Sequence, residues 1–229
     1  MNTLHYLVDL FYPRLCQACG RMLMTHEWVI CNYCNVQLPI MNFENKKNNR
    51  IEELFWGRVD IEAATAYYKY TKEGKVQHLI HQFKYKGFGE VGLYVGKALG
   101  KQLQMSKRFN DIDIIVPVPL HISKLKKRGF NQSERFARGL AISMKAVVID
   151  DNLYRKHASS TQTRKSRWER YKNVNDIFGI RNVSLFENNK LLLVDDVITT
   201  GSTIEGCARI LNEIEGVKVS VAAMASAAF

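Results

Sequence analysis

No uninterrupted apolar run in this sequence approaches the roughly 20 residues that a membrane-spanning helix requires, so helical membrane insertion is excluded. The opening MNTLHYLVDLFYP contains an acid and lacks both a basic front end and a cleavage site, so it is not expected to act as a secretory leader. Internal repeats and long low-complexity stretches are missing, and so is any helix-turn-helix signature for reading duplex DNA. Acidic residues are the scarce charge: 22 Asp and Glu stand against 33 Lys and Arg, giving a net charge of +11 and a pI near 9.4. That balance favours polyanionic partners, among them nucleic acid, nucleotides and pyrophosphates. Basic residues gather at Lys124, Lys126, Lys127 and Arg128, and again at Arg164, Lys165, Arg167, Arg170 and Lys172. With 46% hydrophobic and 24% charged residues there is apolar material for a real core, as expected of a soluble, cytoplasmic globular chain.

Four of the five cysteines form two CxxC pairs, Cys16 with Cys19 and Cys31 with Cys34. Each pair makes a tight turn that aims two thiolates at one point, and two such turns close a tetrahedral zinc site. Two disulfides or ordinary buried thiols are the alternatives; a cytosolic setting opposes the first and the paired spacing the second. Four thiolates leave no coordination position for water, so the expected role is structural. His5 and His26 lie outside the pairs and are read as surface residues. The segment between Pro13 and Pro39 has too few apolar residues to fold unaided, so metal binding is expected to supply most of its stability. Before it, Leu4, Leu7, Val8 and Phe11 repeat at helical spacing and suggest a short docking helix. The polar residues 41–50 read as a linker or boundary, dividing the chain into a helix and zinc module over residues 1–42 and a larger domain over residues 43–229.

Beyond that boundary the pattern is α/β. Strands are expected at 61–70, 112–116, 146–149, 190–194 and 217–223. Helices are expected at 76–85, after Gly89 to about residue 105, at 131–144 and at 202–212, with Val76, Leu79, Ile80 and Phe83 on one face and Phe136, Leu140 and Met144 on another. Alternation of this kind predicts a parallel sheet flanked by helices, whose ligands gather at the carboxyl ends of the strands.

The most specific stretch is LLLVDDVITTGST, residues 191–203. A hydrophobic strand runs into two adjacent carboxylates, Asp195 and Asp196, then into a turn of hydroxyls and glycine that opens a helix. The helix N-terminus offers unpaired amides to a phosphate, Thr199, Thr200, Ser202 and Thr203 add hydroxyl donors, and Gly201 allows close backbone approach. Carboxylates facing a phosphate would repel it, but they suit vicinal sugar hydroxyls and a divalent cation. A ribose 5-phosphate fits both halves. Cys207, just inside the following helix, is read as a buried structural thiol.

These residues resemble the type I phosphoribosyltransferases, whose signature for phosphoribosyl pyrophosphate (PRPP) is a hydrophobic strand, an acidic pair, two aliphatics and a Thr-Thr-Gly-x-Thr loop. Residues 112–116 with Val118, Pro119, Leu120 and His121, followed by Lys124 to Arg128, look like the strand and pyrophosphate loop of those enzymes. Taken with the CxxC pairs, the VPVPLH and RGFNQ segments resemble the competence protein F family, amidophosphoribosyltransferase-like proteins linked to DNA uptake and use. In the same pattern Arg155, Gln162, Arg164 and Lys165 look like a flexible hood over PRPP. The usual threonine three residues before Gln162 is replaced by Ser159, Thr161 offers a rival register, and Arg170 and Asn173 are kept.

The resemblance implies a Mg-dependent phosphoribosyltransferase acting on an unidentified acceptor, with structural zinc. It equally implies an alternative: a non-catalytic PRPP-binding factor of DNA uptake that binds single-stranded DNA or a protein such as a DNA-uptake helicase. A third reading is a PRPP-sensing regulator.

Overall fold

The computed structural model describes residues 13–156 and 177–228. The expected lead-in helix at Leu4 to Phe11 and the hood residues from Ser159 to Asn173, with Gln162, Arg164 and Lys165, lie outside the described residues.

The chain order is α1 (Asn32–Gln37), α2 (Arg50–Glu53), β1 (Ala63–Lys69), α3 (Lys75–Tyr85), α4 (Glu90–Met105), β2 (Ile114–Pro117), α5 (Ile122–Arg128), α6 (Gln132–Met144), β3 (Val147–Val148), β4 (Leu153–Arg155), β5 (Phe178–Ile180), β6 (Lys190–Ile198), α7 (Ser202–Leu211) and β7 (Lys218–Ser226). Five strands form one parallel sheet in the order β1-β7-β6-β2-β3, and β4 pairs antiparallel with β5 as a separate ribbon. Successive side chains of β6 alternate between two cores. Leu192 and Val194 join the face covered by α3, α4 and α6, while Leu191 and Leu193 join the face covered by α2 and α7. Burial on both faces explains why β6 reads as an unbroken apolar run.

Helix α3 buries Val76, Leu79, Ile80 and Phe83, the face its periodicity marks. Helices α4 and α6 cross in close contact: a Cβ added to Gly139 would lie 2.6 Å from the Leu93 carbonyl oxygen, so the pair packs backbone to backbone. Phe136 and Leu140 of α6 are fully buried, and Met144 packs against the same core.

One sequence reading needs correction. Residues 146–149 are not a buried strand: only Val147 and Val148 pair, at the sheet edge, and Val147 is 63% exposed. Residues 41–50, read as a linker or boundary, are tied to neighbouring elements by hydrogen bonds. The Met41 amide donates to the Tyr67 carbonyl at 2.9 Å, Ser106 Oγ donates to the Glu44 carbonyl at 2.8 Å, and buried Asn49 caps α2 while donating to the Ala64 carbonyl. Their polar side chains serve caps and backbone groups, which composition alone does not separate from solvation.

The cysteine segment joins the α3/α4/α6 face, where Leu23, Val29, Ile30 and Leu38 share a core cluster with Tyr67 and Tyr68. No helix among the described residues is long and apolar enough to cross a membrane.

Candidate functional site

The carboxyl ends of β2 and β6 open into a cavity of about 490 Å³, within the size range of small-molecule sites. Of the residues expected from sequence, Asp195, Asp196, Thr199, Thr203, Val118, Pro119, Leu120, Arg128 and Arg155 line it. Thr200, Gly201 and Ser202 line a small adjoining hollow that also includes Asp195 and Thr199. His121 lines neither; its Nδ1 instead accepts from the Ser123 amide at 3.2 Å and caps α5.

The loop between β6 and α7 turns because Gly201 adopts φ +75°, a conformation other residues rarely take. A Cβ there would also come within 2.9 Å of the Phe55 ring, so the position is closed on both counts. The turn is braced from outside: Arg58 donates to the Thr200 carbonyl at 3.0 Å and to that of Leu54 at 2.8 Å, and it pairs with Glu205. Thr200 and Ser202 share a hydroxyl hydrogen bond at 3.0 Å.

The two adjacent carboxylates have different surroundings. Asp195 Oδ1 accepts from Ser133 Oγ at 2.9 Å and from the Asp196 amide at 2.8 Å. Burial, with the neighbouring Asp196 charge, nevertheless pushes its carboxyl up to about 7. Asp196 is buried and meets two cations: Lys84 Nζ lies 2.8 Å from its Oδ1 and Arg128 Nη1 lies 3.9 Å from its Oδ2. Arg128 is held in turn by Gln132 Oε1 at 2.9 Å and by the Tyr85 ring beneath its guanidinium. Cys207 sits fully buried, and burial raises its thiol well above the ordinary value.

Sequence reasoning missed the wall supplied by α3. Gln77, His81 and Lys84 all line the cavity, and their spacing of four and then three residues marks a polar stripe beside the apolar one. That stripe was legible, but the buried face drew the reading. Ser133 and Asn131 were missed as well; both sit at the start of α6, where Asn131 caps the helix and donates to the Val118 carbonyl at 3.0 Å.

The second cluster is built by the four paired cysteines, whose sulfurs all lie within 4.8 Å of one another. Neighbouring sulfurs in a tetrahedral zinc site lie about 3.8 Å apart, given bonds of about 2.3 Å. Cys19 Sγ lies 3.8 Å from Cys31 Sγ. The cluster therefore fits a tetrahedral metal such as zinc. Amides point at the sulfurs, with Cys31 N donating to Cys16 Sγ at 3.2 Å and Cys34 N to Cys31 Sγ at 3.5 Å. Glu27 fixes the second turn by accepting from the Asn32 amide at 2.6 Å and the Met24 amide at 2.8 Å. Burial raises the Cys16 and Cys34 thiols. At Cys19 burial also opposes ionisation, but the Arg21 amide and neighbouring thiols outweigh it and lower the thiol to about 7.

Residues 102–228 match the family model described as phosphoribosyl transferase domain. The chain is 30% identical over 136 residues to "DNA utilization protein YhgH" of Salmonella typhi, a match spanning 58% of this chain and 59% of that relative's length. It is 24% identical to "Competence protein F" of Haemophilus influenzae over 93% of this chain and 90% of the relative. Against "Competence protein ComFC" of Bacillus subtilis it is 27% identical over 87% of this chain and 72% of the relative. Among solved structures, an adenine phosphoribosyltransferase covers 65% of this chain and is itself covered over 75%, at 16% identity and a TM-score of 0.40.

Proposed function

The chain belongs to the phosphoribosyl transferase domain family, and on that premise we propose that its crevice binds PRPP and transfers the phosphoribosyl group to a nitrogen nucleophile. What supports this most is one cavity lined both by Asp195, Asp196 and Thr203 and by Val118 to Leu120 and Arg128. In this reading the loop from Thr199 to Thr203 holds the 5-phosphate with amides and hydroxyls. Asp195 and Asp196 orient the ribose hydroxyls, and the segment from Val118 to Leu120 with Arg128 receives the diphosphate. Arg155, together with Gln162, Arg164 and Lys165, closes over the ligand.

The bond from ribose C1 to pyrophosphate breaks with its electron pair leaving on pyrophosphate, and the nucleophile's nitrogen bonds to C1 and gives up its proton to solvent. The protein acts by positioning and by neutralising charge, without a protein nucleophile. The carboxylates and the ligand's diphosphate form an oxygen-rich set suited to Mg²⁺, which when bound neutralises charge on the leaving group. The four cysteines hold a structural zinc ion.

Pyrophosphate release from PRPP, measured across a panel of nitrogen nucleophiles, tests transfer. Release accelerated by one class of nucleophile is expected. Retained PRPP binding with no release from any nucleophile contradicts transfer and leaves a binding protein.

A second reading, recognition of single-stranded DNA in DNA uptake, has support of its own. Relatives carry the names "Competence protein F" and "DNA utilization protein". At the amino-terminal edge of the sheet a separate groove of about 450 Å³ is lined by Lys47, Lys107 and Lys218, by Arg108 and Lys190 in ion pairs with Glu52 and Asp111, and by Glu62. Trp56, 59% exposed, lines it too. Cations beside an exposed aromatic plate suit a nucleic-acid strand. Binding to an oligothymidylate that weakens with salt and with Trp56→Leu is expected; binding insensitive to both contradicts it. A DNA-uptake helicase is the protein partner this reading implies.

A further inference from the structure

We propose that Gln132 itself contacts the ligand of the crevice, donating a hydrogen bond from Nε2 to an oxygen of the bound diphosphate. The inference rests on the PRPP reading above and deepens it by adding to the diphosphate side a side chain that the loop after β2 does not contain.

Gln132 is 1% exposed and lines the cavity from the first turn of α6. Its carboxamide is only half used. Oε1 accepts from Arg128 Nη1 at 2.9 Å, whereas Nε2 is shut off from solvent and has no hydrogen-bond partner among the described residues. Turning the amide over would set its nitrogen against the guanidinium, donor to donor, so Arg128 fixes which end stays free. A buried donor left unpaired is costly and calls for a partner. Of the four buried side-chain atoms in that condition among the described residues, Gln132 Nε2 is the one that belongs to a residue lining this cavity.

The neighbours decide which ligand oxygen it meets. Asn131, one residue earlier, donates to the Val118 carbonyl at 3.0 Å and pins the start of α6 to the segment assigned to the diphosphate. Arg128 stands on the same side, and its guanidinium, held over the Tyr85 ring, draws anionic oxygens toward the amide that it touches. The positive end of a 13-residue helix adds to that field. Ser133, one residue later, is already committed to Asp195, so the ribose side has a donor of its own. An anionic phosphoryl oxygen is therefore the acceptor that completes Nε2.

Calorimetric binding of inorganic pyrophosphate and, separately, of ribose 5-phosphate, both with Mg²⁺ and without chelator, tests this on the native chain, Gln132→Met, Arg128→Met and the double variant. Gln132→Met is expected to lose about 30-fold in affinity for pyrophosphate, the scale of one hydrogen bond to a charged group, and less than about threefold for ribose 5-phosphate. On the Arg128→Met background the same substitution should still cost about tenfold, because a direct ligand contact survives the loss of Arg128. A residue that merely orients Arg128 would cost nothing further there, and that result overturns the proposal. Equal losses for the two probes overturn it as well. A measurement on native protein needs no variant to fold: the side-chain amide proton resonances of Gln132 should shift on saturation with pyrophosphate and Mg²⁺ and stay in place with ribose 5-phosphate. Resonances unmoved by pyrophosphate in a native chain that binds PRPP overturn the proposal and leave the PRPP reading standing. Native protein that binds neither PRPP nor pyrophosphate removes that reading, and the proposal with it.

Discussion

The cysteine cluster and the acidic pair both crowd groups that resist being charged together, yet they resolve the conflict differently. Around the four sulfurs the described residues supply amides, and burial raises the thiols of Cys16 and Cys34. Around the two carboxylates they supply Lys84, Arg128 and Ser133. The first cluster fits an external cation such as zinc. The second is faced by cations of its own chain. Like-charge crowding therefore has opposite meanings at the two places, and the identity of the nearest neighbours decides which applies.

The largest effect should come from removing the charge the first cluster lacks. Chelation, or Cys31→Ser, is expected to release one zinc ion per chain and to expose the amides of Cys16, Gly20 and Leu23 to hydrogen exchange while those of β6 and β7 stay protected. Two ions per chain, none, or unchanged protection would break the comparison.

A smaller effect is expected at the loop beside the acidic pair. Gly201→Ala places a side chain at φ +75° and 2.9 Å from the Phe55 ring. It should cost about 2 kcal/mol in denaturant unfolding and weaken PRPP binding as well. Unchanged stability would mean the turn is not fixed as described.

The smallest expected effect runs in the opposite direction. An unfolded aspartate ionises near 3.8, whereas folded Asp195 keeps its proton up to about 7. Between those values the folded chain binds more protons than the unfolded one, so this group lowers stability progressively as pH rises through that window. Asp195→Asn removes the penalty. At about pH 8 it should raise stability by about 1 kcal/mol, or about 3 °C in Tm, with little gain near pH 4. A variant less stable than native at high pH would show that Asp195 is held by attraction instead.

How much of this was legible in the sequence follows from where the information lies along the chain. The loop after β6 was readable because strand, acids, hydroxyls and glycine occur consecutively, and local order is what a motif records. The CxxC pairs were readable because metal geometry fixes short spacings. Lys84 and Ser133 were not singled out, since they reach Asp196 and Asp195 only through the packing of α3 and α6 on the sheet. The hydrogen bonds of residues 41–50 were not legible because asparagine and lysine look alike in composition whether they cap a helix, as Asn49 does, or face water. Val147 and Val148 misled because a β-branched pair reads as core, but the edge of the sheet leaves Val147 open.

The most direct measurement is a calorimetric titration of PRPP with Mg²⁺ into the native chain and into the double variant Asp195→Asn, Asp196→Asn. One saturable site per native chain, with no measurable heat of binding in a variant that remains folded, is the predicted result. Equal affinity in the two proteins would contradict the central claim that the acidic pair grips the sugar of a bound phosphoribosyl ligand.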